Sequence, residues 1–248
     1  MTKYESNSFN ENLIEKAYLI GIRYGDLSTQ IHGRKIRISV SSTHPAMLRL
    51  FKKLFDKYGK VNSYPKCDKK KNRYVTCTYC DLDKSFGFLV PKSSEIPEWI
   101  SKEDKLFFSF LSGYFDAEGC ISIYQNEKYW NMQWILKSCD KRLLENILKK
   151  LNELEFTMGF NIAKKADGES YNEDYWYLGT GIKLQVLQLL NYMNLKHDEK
   201  ISKHNLLKNI IYKKSKFPKH ELDELHNKIK TDIKRNMEEA RMKYAQLH

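Results

Sequence analysis

What the chain lacks narrows its role first. No apolar stretch among its 248 residues approaches the length needed to cross a bilayer as a helix, so no membrane partner is expected. Cysteine is scarce: the five (Cys67, Cys77, Cys80, Cys120 and Cys139) are odd in number and have no signal-like segment ahead of them. That argues against a disulfide framework and for a reducing, intracellular setting. Cys77 and Cys80 form one CxxC, but no second CxxC exists to complete a zinc ribbon, and both lie in the strand-like run RYVTCTYC. Negative charge is also short: 31 acids face 43 Lys and Arg, for a formal charge of +12. The resulting field attracts polyanions. Charge alone does not select the partner, because a well-solvated lysine surface reads the same way.

What is present is a duplication. An apolar helix pattern, AYLIGIRYGD, ends on Asp26, and a second, FLSGYFDAE, ends on Glu118, 92 residues later. Behind Asp26, Ile36, Ile38 and Val40 alternate with Lys35, Arg37 and Ser39, the period-two pattern of a half-buried strand, with a hairpin turn at His32-Gly33. PAMLRLFKKLFDKYG follows at helical spacing, with Pro45 in its first turn and Gly59 as its expected C-cap. Strands around Val61 to Pro65 and Arg73 to Cys80, separated by a basic tip, and a short helix from Lys84 to Val90 close the unit. Behind Glu118 the order recurs: strands CISIYQ and NMQWILKSC, helix KRLLENILKKLNEL, strands FNIAKK and YWYLGTG, and helix IKLQVLQLLNYM. The fold class expected is α+β, as two αββαββα repeats. They span residues 12–90 and 105–212, joined by a proline-bearing linker at 91–104 and followed by a helical tail at 213–248. In the tail, Leu222, Leu225, Ile229, Ile233 and Met237 form one stripe, so a packed helix is favoured over a free nucleic-acid arm.

The two motif helices carry small residues one turn apart, Gly21 with Gly25 and Gly113 with Ala117. Such pairs let helix backbones approach closely, and packing these helices on each other sets Asp26 beside Glu118. A carboxylate at a helix C-terminus opposes the macrodipole, and a second carboxylate adds repulsion. Hard cations held by carboxylate oxygens offset both, and paired carboxylates over Mg²⁺ suit phosphodiester hydrolysis. A single such acid would be read as a turn cap or a lysine's partner; two at matching positions of a duplicated unit favour the metal reading.

LIGIRYGDL (Leu19 to Leu27) and LSGYFDAEG (Leu111 to Gly119) resemble the two motif copies of a single-chain LAGLIDADG homing endonuclease. The second copy has Glu in place of the final Asp; the first has Tyr24 for the first acid and Leu27 for the last glycine. The resemblance runs from about Asn12 to Tyr212 and includes YLGTGIKLQVLQLLNYMNLKHDEKISKHNLLKNI. It implies motif helices packed at a central interface and saddle-shaped antiparallel sheets facing duplex DNA. The implied activity is metal-dependent cleavage of both strands of a long, asymmetric target, leaving 3′ overhangs and driving intron homing. Mg²⁺ is the cofactor implied, held by Asp26 and Glu118, with Ca²⁺ able to fill the site without supporting cleavage. The family's basic catalytic residue falls on Lys183 in the second repeat; in the first, LDKSF offers Asp83 or Lys84 depending on the alignment, with Lys84 as the basic choice.

Strand phase nominates the DNA-binding side chains: Arg34, Lys35, Arg37, Ser39, Ser41, Lys69, Lys70, Lys71 and Arg73 in the first repeat, and Gln125, Lys128, Gln133, Lys137, Lys164, Lys165, Tyr171, Tyr175 and Tyr177 in the second. Most such contacts go to phosphate, fewer to base edges. Two motif copies in one chain predict a monomer on double-stranded DNA. The alternatives on the same fold are an intron maturase binding its own intron RNA and a catalytically silent DNA-binding regulator. Retention of both acids, and no recognisable helix-turn-helix, favour the nuclease.

Overall fold

The computed structural model describes residues 6–69, 72–126, 129–168, 172–212 and 219–247. The chain divides into two compact units, one made of Met1–Glu11, Leu27–Val90 and Pro218–His248, the other of Asn12–Asp26 and Pro91–Phe217. Each holds a four-stranded antiparallel sheet, ordered β1-β2-β4-β3 in the first and β5-β6-β8-β7 in the second.

In the first unit, β1 (Ser28–His32) and β2 (Lys35–Ser42) form a hairpin whose turn includes Gly33, at φ +59°. That left-handed conformation suits glycine. β2 pairs with β4 (Arg73–Leu82), which also pairs with β3 (Val61–Asp68). Side chains alternate across a strand, so Ile36, Ile38 and Val40 share a buried face with Leu82, Cys80 and Thr78. Helix α2 (Pro45–Phe55) covers that face with Met47, Leu50, Phe51, Leu54 and Phe55. It stops short of the expected Gly59. Asp56 is its C-cap, and Tyr58 leaves the helix path to pack against Phe86, with ring centroids 4.8 Å apart. The segment predicted as a short helix is a 3₁₀ turn, Lys84–Leu89, capped by Asp83, whose carboxylate accepts from the Ser85 amide at 2.9 Å.

The tail is a single helix, α8 in chain order (Lys219–Leu247), and it packs on β3 and β4. Leu222 and Ala240 are buried, the Tyr74 and Tyr244 rings lie 5.4 Å apart, and Asn236 donates to the Thr43 carbonyl at 3.1 Å. Asn236 also accepts from Thr76, which shares the face of Thr78 and Cys80. α8 therefore lies on the helix-covered side of this sheet and leaves the Arg37 side open.

The second unit is built on α1 (Leu13–Tyr24) and α4 (Asp104–Glu118), the latter preceded by the one-turn α3 (Glu98–Ser101). Its sheet comprises β5 (Gly119–Asn126), β6 (Tyr129–Ser138), β7 (Gly159–Lys164) and β8 (Tyr175–Thr180). Ile121, Ile123, Met132, Trp134, Leu136 and Leu178 form its buried face, and Phe115 of α4 stacks on Trp134 with centroids 4.9 Å apart. α5 (Lys141–Glu153) buries Leu143, Leu144, Ile147 and Leu151, and α6 (Lys183–Tyr192) and α7 (Asp198–Tyr212) complete the unit. Asn12 caps α1 by accepting from the Glu15 amide at 2.9 Å.

Candidate active site and nucleic-acid faces

Helices α1 and α4 meet along much of their length. The contact is backbone on backbone. A Cβ on Gly21 would come within 2.0 Å of the Phe110 carbonyl oxygen, and one on Gly113 within 2.1 Å of the Tyr18 carbonyl oxygen. A turn further on, a Cβ on Gly25 would strike the Ala117 Cβ at 2.3 Å. The Ser109 hydroxyl adds a bond from α4 to the Ile14 carbonyl at 2.6 Å. Each small residue thus stands where any larger one would force the helices apart.

This approach brings two carboxylates together at the helix ends. Glu118 is the last residue of α4, and Asp26 follows α1 by two positions. Burial, and then the negative charge of Asp26, push the Glu118 carboxyl up to about 7, with Lys92 and Lys200 opposing. Asp26 keeps a solvent-accessible edge, but the protein packed around its other sides raises its pKa, and Lys200 followed by Lys92 pulls it back. Burial thus disfavours the ionised form of both acids, and the two lysines only partly offset it.

A lysine ends each motif helix. Lys92 donates to the Gly25 carbonyl at 3.4 Å, and Lys200, from α7, donates to the carbonyls of Phe115 and Asp116, the latter at 2.7 Å. Both therefore meet the negative end of a helix dipole. They differ in exposure: Lys92 is exposed, whereas Lys200 is buried, and desolvation lowers its amine to about 8 against the pull of Asp116, Asp26 and Glu118.

Asp116 fixes the frame around them. Its Oδ2 accepts from the Tyr18 hydroxyl at 2.7 Å, the Lys196 amide at 2.7 Å and the His197 amide at 3.3 Å. One buried carboxylate thereby joins α1, α4 and the segment leading into α7. Burial raises the Asp116 carboxyl, and Lys200 and these donors counter the rise. Ser112 adds a second tie, accepting from the Asn194 amide at 2.9 Å.

The predicted Lys183 is the first residue of α6, with its ammonium 3.9 Å from the Trp130 ring centre. Lys84 opens the 3₁₀ turn of the first unit with an exposed side chain. Sequence reasoning did not single out Lys92, Lys200 or Asp116. The local signal for Asp116 was the pair of acids in FDAE; no local signal marks the two lysines.

Among the described residues, no group of three or more His, Cys, Asp or Glu side chains could hold a metal ion. The two carboxylates still fit a hard cation. Mg²⁺ is commonly bound by one or two carboxylates with substrate phosphates supplying further oxygens, and their raised pKa values are what an added positive charge would relieve.

On the open face of the first sheet, Lys35, Arg37, Ser39 and Ser41 align with Asp81, Tyr79 and Cys77 of β4. Arg37 pairs bidentately with Asp81 at 2.7 and 2.8 Å, and its guanidinium lies 4.7 Å from the Tyr79 ring centre. That ion pair holds the Asp81 carboxyl below its usual value. Arg34 lies in the β1–β2 turn, and Arg73 begins β4 with Asp68 at 3.7 Å. On the open face of the second sheet, Gln133, Lys137, Tyr175, Tyr177 and Lys164 come together by register, joined by Ser122, Tyr124 and Asn161. Gln125 takes the opposite phase, that of Ile121 and Ile123. Lys70, Lys71, Lys128 and Tyr171 lie outside the described residues.

Residues 107–212 match the family model of the LAGLIDADG-like domain. Solved structures extend the likeness in fold over most of the chain. A LAGLIDADG homing endonuclease, I-GzeII in complex with its DNA target, aligns at 12% identity and a TM-score of 0.53, covering 85% of this chain and 95% of that one. A mutant of I-SmaMI aligns at 9% identity and 0.52, covering 92% and 98% respectively. This chain has their two-repeat α+β fold. No curated protein matches the sequence.

Proposed function

We propose that this chain is a site-specific endonuclease that makes a metal-dependent double-strand break in a long duplex target and so drives intron homing. The observation that carries the reading is the pairing of Asp26 with Glu118, raised in pKa at the ends of two helices packed backbone to backbone. The basic sheet faces and the DNA target bound by I-GzeII support DNA as the substrate. Because α1 and α4 belong to one chain, a monomer suffices to pair the acids.

Asp26 and Glu118 would hold the divalent cation, most simply Mg²⁺. Bound there, such a cation lowers the pKa of an attacking water and neutralises charge at the scissile phosphate. Glu118 must give up its proton to bind it, so the site fills as pH rises through about 7. Lys92 and Lys200 hold positive charge beside the carboxylates and are suited to stabilising negative charge that develops on phosphate oxygen. In this reading they take the role that the resemblance assigned to Lys84 and Lys183.

The test is cleavage of a duplex library of uninterrupted intron-insertion sites, with Mg²⁺, with EDTA, and with Asp26→Asn and Glu118→Gln in parallel. Discrete Mg²⁺-dependent cuts in both strands, lost in either variant, are expected. Uncut duplex despite tight, specific binding would sink the nuclease reading and leave the regulator; tight binding to intron RNA alone would leave the maturase.

A further inference from the structure

The C-terminal half of α8 closes a cleft that neither the paired carboxylates nor the sheet face requires. Lys234, Met237, Glu238 and Arg241 recur at i, i+3, i+4 and i+7, which sets them on one face of the helix, and they line a cleft of about 470 Å³ together with Arg73 and Tyr74 at the start of β4. The helix is pinned there by the Tyr74–Tyr244 ring contact and by Asn236. Three cations and one acid border the cleft, while Glu221, Asp223 and Glu224 lie at the far end of α8. Lys234 and Arg241 are exposed, so their charges are available to a ligand.

Arg73 connects the cleft to the open sheet face. Strand alternation gives it the phase of Tyr79 and Asp81, the side that carries Arg37. Arg73 thus borders both the open face and the cleft, and a polyanion following it around the start of β4 would reach Lys234 and Arg241 on the helix-covered side. We propose that this cleft binds backbone phosphates of duplex DNA flanking the stretch that the first sheet contacts. The proposal rests on the DNA-binding reading above, and it makes α8 a phosphate clamp that lengthens the bound segment without reading its sequence.

Phosphate contacts are counted by salt dependence, because each one neutralised contributes about −0.9 to the slope of log affinity against log salt. The full chain should be titrated with a long mixed-sequence duplex, alongside Lys234→Ala/Arg241→Ala, each single variant, and Lys52→Ala/Lys53→Ala on the exposed face of α2 as a charge-matched control. The slope should become shallower by about 2 in the α8 double variant, by about half that in each single variant, and not at all in the α2 control. An unchanged slope in α8 variants that melt like wild type would overturn the clamp and leave DNA binding intact, as would an equal change in the α2 control. Wild type failing to bind duplex at all would remove the DNA reading and the clamp with it. A change seen only with structured RNA would overturn the assignment to duplex DNA.

Discussion

Glu118→Gln should make the protein more stable while destroying its activity, and the pH dependence of the gain identifies its origin. The Glu118 carboxyl rises from an ordinary 4.5 to about 7 in the folded chain, chiefly through burial and the nearby Asp26 charge. A carboxyl with a raised folded pKa is stabilising only while protonated: its contribution is complete below the unfolded value and is lost as pH climbs through the folded one. At about 1.4 kcal/mol per pH unit, keeping Glu118 ionised above neutrality costs the fold roughly 3 kcal/mol at most, less whatever solvent screening relieves. Glutamine keeps the shape without the charge. In a chain of this size, where 1 kcal/mol moves the melting midpoint by about 2–4 °C, the variant should melt several degrees above wild type near pH 8. The two should converge below about pH 4, where Glu118 is protonated in the folded and unfolded states alike. The assay is calorimetric or circular-dichroism melting in EDTA at both pH values. A variant that melts at or below wild type near pH 8, or one whose gain is the same at both pH values, would refute the argument that the site is built at the expense of the fold.

Other expectations concern the frame around that site. Gly21→Ala or Gly113→Ala should destabilise by about 3 kcal/mol or more, since the helices would have to separate to admit the methyl group; urea melts would reveal a loss far beyond that of an ordinary surface alanine. Asp116→Ala strands the Tyr18 hydroxyl and the Lys196 and His197 amides without their acceptor, so a loss of roughly 3 kcal/mol is expected, with Tyr18→Phe costing less; stability equal to wild type in Asp116→Ala would remove its bridging role. Lys200→Met should keep DNA binding and lose most cleavage, whereas Lys183→Met should retain cleavage; the reverse order in a Mg²⁺ cleavage assay would return the charge-stabilising role to Lys183.

The duplicated architecture was legible because its signals are local. Alternating residues such as Ile36, Ile38 and Val40 fix strand phase, and paired small residues mark where helices touch. Gln125 was legible too: it has the phase of Ile121 and Ile123, and counting in twos would have exchanged it for Tyr124. Other features were not available from spacing. Arg37 meets Asp81 only because β2 pairs with β4 in one register, which neither strand specifies alone. Lys200 is 82 residues from Glu118 along the chain, and nothing in LKHDEKISKH distinguishes a buried amine from a solvated one. A lysine becomes part of this site through the packing of α7, a tertiary event that overrides its usual preference for water.

Asp116 ties the start of the chain to a segment near its end: Tyr18 on one side, Lys196 and His197 on the other. During synthesis Asp26 and Glu118 leave the ribosome long before Lys200, so a growing chain carries both acids for some time without the amine that offsets them. Helix α7 is the last piece the centre needs, and an interrupted translation product ending before it should be unable to cut. Under the proposed endonuclease reading, the site is thus armed only once residue 200 has been made and α7 has packed against α4.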